Sequence, residues 1–416
     1  MNAKELGRAV NSAVQREDGI ALSLLLDLRS DTVSGLCAVS RNGSDIKNLT
    51  IAKPWKDILS HFLAAGMEYA RASSSKTSDI RQWKLASDAM EQTLSAFLRY
   101  FTQLSPGRWA LPALFTLLRD AQTIAQDADD AESAAASSKV MPVQKHTEAC
   151  ARQLNKAFSA CIADRYPSIV QSKKWGTYTI VGRIFQLYFR LGSTALCKNV
   201  LRALNAADLP PVDAFPRSDR VTFQYYVGRL AFLDEDYMKA ESFLSAALAD
   251  APNAARHNVE RILLYLIPTR LLHGVRPASS LLESYPRLIA LYRPIIDACW
   301  AGDVRQYDAL LAEPQLEHTL VHLGLYLALE RAREICMTRL FRRVWIISGK
   351  STRLRLGLFS CAMHWVQNTS ETAETEWSLA TLIAKGRIKG YIAHDRQMIV
   401  LSAKDAFPRA SLAMIS

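Results

Sequence analysis

The chain has 416 residues, of which 49% are hydrophobic and 22% are charged, and its formal net charge is +11. This length allows two or three domains with substantial cores, and the composition is that of a folded protein, which excludes wholesale disorder. Because there is no apolar run of about eighteen residues and no secretory pattern at the N-terminus, we expect a soluble, intracellular protein. The net positive charge would suit an anionic partner, either nucleic acid or an acidic protein.

The first 206 residues show apolar positions at helical spacing and almost no strand signals, which predicts N-terminal helical repeats over 1–206. The polar, small-residue run Gln126–Ser138 has little to bury, so we expect it to be an exposed loop between helices. Three prolines between Asp208 and Ser218 rule out a continuing helix and mark a break in the chain.

After this break, Val221–Pro252 matches one tetratricopeptide-type helical hairpin. Gly228 leaves room for two helices to approach closely, Leu244 fills the space between them, and Pro252 ends the second helix. We therefore predict tetratricopeptide-like repeats over 219–334, stacked as a solenoid in which each pair buries its face on the next. An irregular helical bundle is the alternative.

The segment 335–408 is predicted to contain a basic helix and then a winged-helix subdomain, followed by a tail over 409–416. Apolar residues at helical spacing lead to Gly386, which is placed to cap a helix. Two short apolar strands follow, joined by the polar turn His394–Gln397. A helix followed by a β-hairpin is the winged-helix arrangement, and that fold serves protein contacts as often as nucleic acid.

Basic residues of this C-terminal segment are candidates for nucleic-acid binding. Between Ile335 and Ser370 there is no Asp or Glu, so the cations there lack local neutralisation. Lys and Arg side chains that neutralise phosphates release counterions and give affinity without reading sequence. A seat for an acidic protein and a merely solvated basic face are the alternatives. The candidates are Arg339, Arg342, Arg343, Lys350, Arg353, Arg355, Lys385, Arg387 and Lys389.

Helical spacing places Arg339, Arg342 and Arg343 on one face of the basic helix, with Leu340, Val344 and Ile347 toward the core. Most tryptophans, including Trp365, are expected to be core residues, since that is their commoner role. Apolar residues of the winged helix that remain exposed are candidates for binding a protein partner, and these are Trp377, Tyr391 and Ile392.

The sequence carries no recognised signature of an active site, cofactor site or metal site. The phosphate-binding glycine motifs are absent, and the seven cysteines are scattered and expected to be reduced. His318 and His322 lie four residues apart, but Thr319 stands where the zinc-protease pattern requires Glu. We therefore expect a non-enzymatic protein with no catalytic residues, no metal ligands and no cofactor.

Seven segments carry a family resemblance that extends from about residue 50 to Pro408: Trp109–Pro112, Lys173–Gly176, Phe185–Phe189, Arg220–Gly228, Arg261–Pro268, Arg339–Phe341 and Gly390–His394. Together they resemble the PCI-domain-containing protein 2 family and its fungal relatives. The chain departs from the family motif Asn-Leu-Phe, because Arg339 stands in place of the Asn. The departure adds positive charge and leaves the resemblance intact.

The resemblance implies a mainly α fold, in which a tetratricopeptide-like helical-repeat solenoid is capped by a C-terminal winged helix, together called the PCI domain. It also implies a non-enzymatic scaffold subunit of a nuclear complex that couples transcription to mRNA export. The expected partners are a larger PCI-type export scaffold, a small acidic disordered protein of the Sem/DSS type, and RNA or DNA on the basic face, with no membrane contact.

The expected location is the nucleus, and presence in the cytoplasm is left open. The alternative function is a signalosome-associated or proteasome-lid-like PCI assembly subunit without a role in nucleic-acid binding. The shared segments do not separate these two branches.

Overall fold

The computed structural model describes residues 3–39, 53–74, 80–135, 144–367 and 372–408. The chain forms two compact units, 1–223 and 224–416, and the described residues of both are mainly helical. Among the described helices, none is long and apolar enough to cross a membrane.

The first unit consists of helices and short 3₁₀ turns in its described part. Trp55 at the start of the fourth helix packs edge-on against Phe97 of the fifth, with ring centroids 6.1 Å apart. Both residues are buried, so this contact belongs to the core. The helices are α1 (Ala3–Gln15), α2 (Gly19–Leu25), α3 (Asp31–Val39), α4 (Trp55–Ser74), α5 (Ile80–Gln103), α6 (Leu111–Ala135), α7 (Lys145–Ile162), α8 (Thr177–Arg190) and α9 (Thr194–Ala206).

The loop predicted at Gln126–Ser138 is wrong where the structure describes it. Helix α6 continues to Ala135 without a break, and residues 136–138 lie outside the described part. Alanine is the strongest helix former, so this run favours a helix even though it has few large apolar groups. Ala128 and Asp129 are buried, which shows that the segment is also packed.

Helix α10 (Arg217–Leu233) continues the chain from the first unit into the second. The second unit contains a series of helices followed by a small sheet. Its further elements are α11 (Tyr237–Asp250), α12 (Arg256–Leu272), α13 (Ser279–Glu283), α14 (Pro286–Ala301), α15 (Val304–Leu311), α16 (Pro314–Leu323), α17 (Tyr326–Ile347), β1 (Arg353–Arg355), α18 (Leu356–Gln367), α19 (Thr372–Ala384), β2 (Gly390–Ala393) and β3 (Met398–Leu401).

Helices α10 and α11 form the predicted tetratricopeptide-like hairpin. A Cβ atom at Gly228 would lie 2.7 Å from Cγ of Leu244, so the two helices approach as closely there as the small residue permits. Leu244 and Ala240 are fully buried, and α11 ends at Asp250, two residues before Pro252. The helical-repeat prediction is therefore confirmed.

The C-terminal elements form the predicted winged helix. Helix α19 ends at Ala384, and Gly386 adopts a left-handed φ of 67°, as expected for a C-terminal cap. The N–H of Arg387 closes the cap by donating to the carbonyl of Leu382 at 2.8 Å. Strands β2 and β3 then form the hairpin, which confirms the fold class.

The sheet has a third strand that the sequence pattern did not reveal. Strand β1, which carries Arg353 and Arg355, pairs antiparallel with β3, and the strand order is β1-β3-β2. A strand of only three residues gives too short an alternation to be recognised from sequence. One face of the sheet is buried, since Leu354 and Ile399 are paired across the strands and are both inaccessible.

Candidate nucleic-acid and partner interface

Five of the nine candidate cations are exposed and unneutralised. Arg342 and Arg343 lie near the end of α17, Lys350 lies in the turn that follows, and Arg353 and Arg355 lie on β1. None of the five forms an ion pair with a carboxylate in the described part of the chain. Positive charge therefore accumulates from the end of α17 to β1. We call these five side chains the free cations.

The turn between α17 and β1 has a defined backbone. Gly349 and Lys350 both adopt left-handed φ values, 72° and 56°, which reverse the chain after the helix. The indole Nε1 of Trp345 donates to the carbonyl of Ser351 at 3.2 Å and connects the helix to the far side of the turn. Lys350 is thus held on a defined turn, between the helix that carries Arg342 and Arg343 and the strand that carries Arg353 and Arg355.

Two further candidates are already neutralised. The ammonium of Lys385 bonds the carboxylate of Glu334, and Nζ of Lys389 lies 3.0 Å from Oδ2 of Asp405. Exposed ion pairs of this kind contribute at most about 1 kcal/mol to stability. Lys385 and Lys389 must each break this ion pair before they can bind phosphate.

Arg387 is a correction to the sequence-based candidates, because its side chain is only 6% exposed. Its Nη2 donates to the carbonyl of Leu272, at the C-terminal end of α12, at 3.1 Å. Burial lowers the pKa of its guanidinium, while the charge of Glu334 opposes that effect. Arg387 therefore connects the winged helix to α12 and does not present its charge to phosphate.

Arg339 also differs from its helical neighbours. Its guanidinium carbon lies 4.8 Å from the ring centroid of Trp300, which is cation–π geometry, and the side chain is half-buried. Burial, followed by the charge of Arg342, lowers the pKa of Arg339. The predicted common face is therefore divided, with Arg339 stacked on Trp300 and only Arg342 and Arg343 exposed.

The predicted core face of the same helix is correct only in part. Leu340 is buried and Val344 is half-buried, but Ile347 is 86% exposed. Ile347 is the last residue of α17, and the chain turns away at Ser348, so no later turn of the helix covers it. Ile347 is thus an exposed aliphatic side chain at the end of the helix that carries Arg342 and Arg343.

The three partner candidates occupy different positions. Trp377 on α19 and Tyr391 on β2 are 73% and 62% exposed. Ile392 pairs across the sheet with Ile399, and Ile399 pairs with Leu354, so Ile392 lies on the buried face. Because adjacent strand residues point to opposite faces, Tyr391 and Ile392 cannot both bind a partner on one side. Ile392 is half-buried, and it lies on the opposite face of the sheet from Tyr391.

The wing is joined to α19 by a polar contact. Nδ1 of His394 lies 2.7 Å from Oε1 of Glu376, whose neighbour in sequence is Trp377. The hydrogen bond and the charge of Glu376 raise the pKa of His394. The imidazole is therefore more readily protonated here than in water, and its charge strengthens the contact.

Sequence reasoning missed one exposed aromatic residue. Trp365 on α18 was expected to be core, yet it is 84% exposed. Its helical neighbours Cys361 and His364 are also exposed, whereas Met363 and Val366 are buried. The signal in the sequence was the helical spacing. Met363 and Val366 are three residues apart and lie on the apolar face of α18, whereas Trp365 lies off that face.

In the described residues, one group of three side chains has the composition of a metal site, and it lies in the first unit. The carboxylate oxygens of Asp129 accept hydrogen bonds from the backbone N–H groups of His146 and Thr147, with N–O distances of 3.1 and 2.8 Å. Glu132 bonds Lys145 at 2.8 Å and lies 3.3 Å from Nε2 of His146. Each donor atom thus has a protein partner, and the group caps the N-terminus of α7.

A groove of about 690 Å³ lies among α12, α14 and α16 of the second unit. Arg261 and Arg287 line it together with Glu260 and Glu313, so its charges are balanced. The groove therefore offers no electrostatic preference for an acidic ligand, unlike the surface around the free cations.

Comparison with known proteins agrees with this architecture. The PCI domain family matches residues 304–403, which include α17, the free cations and the three-stranded sheet. "Protein CSN12 homolog" of Mycosarcoma maydis is 43% identical, covering 94% of this chain and 91% of the relative. "PCI domain-containing protein 2 homolog" of Drosophila melanogaster is 30% identical and covers 96% of both chains. "PCI domain-containing protein 2" of Xenopus laevis is 31% identical over 77% of this chain.

These relatives match the helical repeats as well as the winged helix, since the first two cover more than nine-tenths of the chain. The identity levels and the coverage agree with the family resemblance seen in the sequence. The chain therefore belongs to the PCI-domain family that includes the CSN12 homologues and PCI domain-containing protein 2.

Proposed function

We propose that this chain is a non-enzymatic PCI scaffold subunit of a nuclear complex that couples transcription to mRNA export. In this role it pairs with a larger PCI-type scaffold, binds a small acidic protein of the Sem/DSS type, and presents the free cations to RNA or DNA. The observation that carries the nucleic-acid part is that five exposed cations have no carboxylate partner in the described residues.

The physical argument concerns phosphate binding. A cation that is already paired must lose its carboxylate before it binds phosphate, whereas Arg342, Arg343 and Lys350 only exchange water and counterions. The guanidinium groups also present planar forks that fit phosphate oxygens. Binding of this kind positions nucleic acid without selecting a base sequence.

The test is RNA binding by the full chain, alone and reconstituted with the larger PCI-type scaffold, measured by fluorescence anisotropy at several salt concentrations. Arg342→Ala/Arg343→Ala is expected to reduce the slope of log affinity against log salt by about 1.4, since each lost phosphate contact on a single strand accounts for about 0.7. Lys385→Ala/Lys389→Ala is the matched control, because those charges are neutralised, and it should change affinity less than twofold.

An unchanged affinity of Arg342→Ala/Arg343→Ala would show that the free cations do not bind RNA. Equal losses in the two double variants would show that ion pairing does not decide which cations take part. Both variants change only exposed side chains, so their unfolding transitions should match that of the unmodified chain.

The second candidate function is a signalosome-associated or proteasome-lid-like PCI subunit without a nucleic-acid role. It is favoured by the names of the fungal relatives, which are called CSN12 homologues. Mass spectrometry of the proteins that copurify from nuclear extract at native expression, with and without nuclease, separates the two. Nuclease-resistant recovery of the larger export scaffold and the small acidic protein supports the export function, and recovery of signalosome subunits without that scaffold supports the second candidate.

A further inference from the structure

We propose that Ser351 is a phosphorylation site, and that a phosphate there switches off nucleic-acid binding by the free cations. The modifying enzyme is a serine/threonine protein kinase that selects basic residues around its target serine. The inference rests on the proposed function, and it adds a means by which binding through this surface is regulated.

Ser351 lies between the free cation of the turn and those of β1. It is exposed, it follows Lys350 directly, and it precedes Arg353 and Arg355 by two and four residues. The range 335–370 contains no Asp or Glu. Charge complementarity between a kinase and the residues that flank the target hydroxyl is one basis of kinase specificity. The sequence around Ser351 therefore suits a kinase with an acidic substrate groove.

The backbone on the C-terminal side of Ser351 is already extended. Strand β1 begins two residues later, at Arg353, and the strand order β1-β3-β2 places it at the edge of the described sheet. One side of an edge strand presents its N–H and C=O groups to another chain. The segment after Ser351 therefore has the conformation in which an extended peptide is taken into an enzyme cleft.

The Ser351 hydroxyl is held beside Arg353. Its Oγ donates to the carbonyl of Arg353 at 3.1 Å and accepts from the backbone N–H of Arg353 at 3.3 Å. In the transfer, a bond forms between Oγ and the γ-phosphorus of ATP, the bond from that phosphorus to the bridging oxygen of ADP breaks, and the hydroxyl proton passes to the catalytic Asp of the kinase. The oxygens of the product phosphate remain acceptors for the N–H of Arg353.

A phosphate at this position opposes the charge on which nucleic-acid binding depends. Phosphoserine carries a charge of about −1.5 to −2 near pH 7, so the five free cations would keep a net charge of only about +3. Its oxygens form charge-assisted hydrogen bonds with ammonium and guanidinium groups, here those of Lys350, Arg353 and Arg355. Each of these cations would then have to leave the phosphoserine before it binds nucleic acid.

Thr352 is the neighbouring hydroxyl that the structure disfavours as the acceptor. Its carbonyl accepts the backbone N–H of Leu401 at 2.7 Å, so its backbone is bonded to the sheet. Ser351 lies in the turn, where its carbonyl accepts the indole N–H of Trp345 at 3.2 Å. Drawing Thr352 into a kinase cleft would break a backbone hydrogen bond of the sheet, whereas Ser351 would lose only bonds that involve side chains.

The first test measures phosphoryl transfer from ATP to the folded full chain by the catalytic domain of protein kinase C. The control is the free peptide 345–356, which has the same sequence without the fold. We expect kcat/KM for the full chain to lie within tenfold of the value for the peptide. Chymotryptic cleavage after Trp345 and Leu354 releases a peptide in which mass spectrometry locates the phosphate. A larger deficit in the full chain, or a phosphate on Thr352, would overturn the proposal.

The second test measures RNA affinity of the full chain with phosphoserine incorporated genetically at position 351. Phosphoserine at position 280, an exposed serine on α13, is the control of equal charge. Phosphoserine at 351 should lower affinity about tenfold at 0.1 M salt. It should also reduce the slope of log affinity against log salt by about 1.4–2.1, since two or three phosphate contacts of about 0.7 each are lost. Phosphoserine at 280 should change affinity less than twofold.

Equal losses at the two positions would reduce the effect to net charge and contradict the switch. The unfolding transition of the chain with phosphoserine at 351 should match that of the unmodified chain, because the change is confined to an exposed side chain. A lowered transition would assign the loss of affinity to structure and not to charge, which also contradicts the switch.

The two tests separate this inference from the proposed function. If the unmodified chain binds RNA through Arg342 and Arg343 but phosphoserine at 351 leaves affinity within twofold, the proposed function stands and the switch fails. If the unmodified chain binds no RNA, the nucleic-acid part of the proposed function fails and the switch fails with it. In that case phosphoryl transfer in the first test still decides whether Ser351 is a phosphorylation site.

Discussion

The guanidinium of Arg387 donates a hydrogen bond to the backbone carbonyl of Leu272 at 3.1 Å. Leu272 is the last residue of α12, where helical carbonyls lack partners and the helix dipole favours a cation. Arg387 follows the glycine cap of α19 directly. One side chain thus joins the winged helix to the helical repeats of the second unit.

This contact predicts that Arg387→Ala acts on stability. Loss of the buried hydrogen bond leaves the Leu272 carbonyl without its partner, so we expect the free energy of unfolding to fall by about 1–3 kcal/mol. RNA affinity per folded molecule should stay within twofold. Denaturant unfolding and anisotropy measure the two quantities, and Lys385→Ala, which removes an exposed ion pair, is the control with a loss below about 1 kcal/mol.

Tyr391 and Ile392 predict opposite outcomes for adjacent substitutions. Tyr391→Asp places a charge on the exposed face, so stability should change by less than about 0.5 kcal/mol while partner recovery is lost. Ile392→Asp places a charge at a half-buried position on the face that Leu354 and Ile399 share, and it should cost about 1–3 kcal/mol. Urea unfolding of both variants is the measurement, and a large loss of stability in Tyr391→Asp would show that the sheet faces are assigned incorrectly.

The close approach at Gly228 predicts a steric penalty. Gly228→Ala adds a methyl group 2.7 Å from Cγ of Leu244, so the hairpin must open and stability should fall by about 1–3 kcal/mol. In a double-mutant cycle, Leu244→Ala should remove most of this penalty because it removes the clashing atom. Additive losses in the cycle would contradict the contact.

His394 predicts a pH dependence of the wing contact. The pKa of His394 is raised by Glu376, so its stabilising contribution is complete below the ordinary histidine pKa of about 6.5 and is lost as pH rises through the higher folded value. Trp377 fluorescence should report this titration. His394→Gln should remove the pH-dependent change, and a titration that persists in this variant would assign it to another group.

The sequence by itself determined the helical repeats, the hairpin around Gly228 and the glycine cap at Gly386. These features depend on short-range periodicity and on residues whose backbone or size is decisive locally. Sequence also located the basic segment, because the absence of acidic residues between Ile335 and Ser370 is a property of the chain itself.

Only the tertiary structure decided which cations are free. Lys385 and Arg387 are two residues apart, yet one bonds Glu334 on the surface and the other is buried against Leu272. Their partners lie 51 and 115 residues away, beyond any local pattern. The faces of the wing likewise depended on β1, which is too short to predict and which fixes Tyr391 outward and Ile392 inward through its pairing with β3.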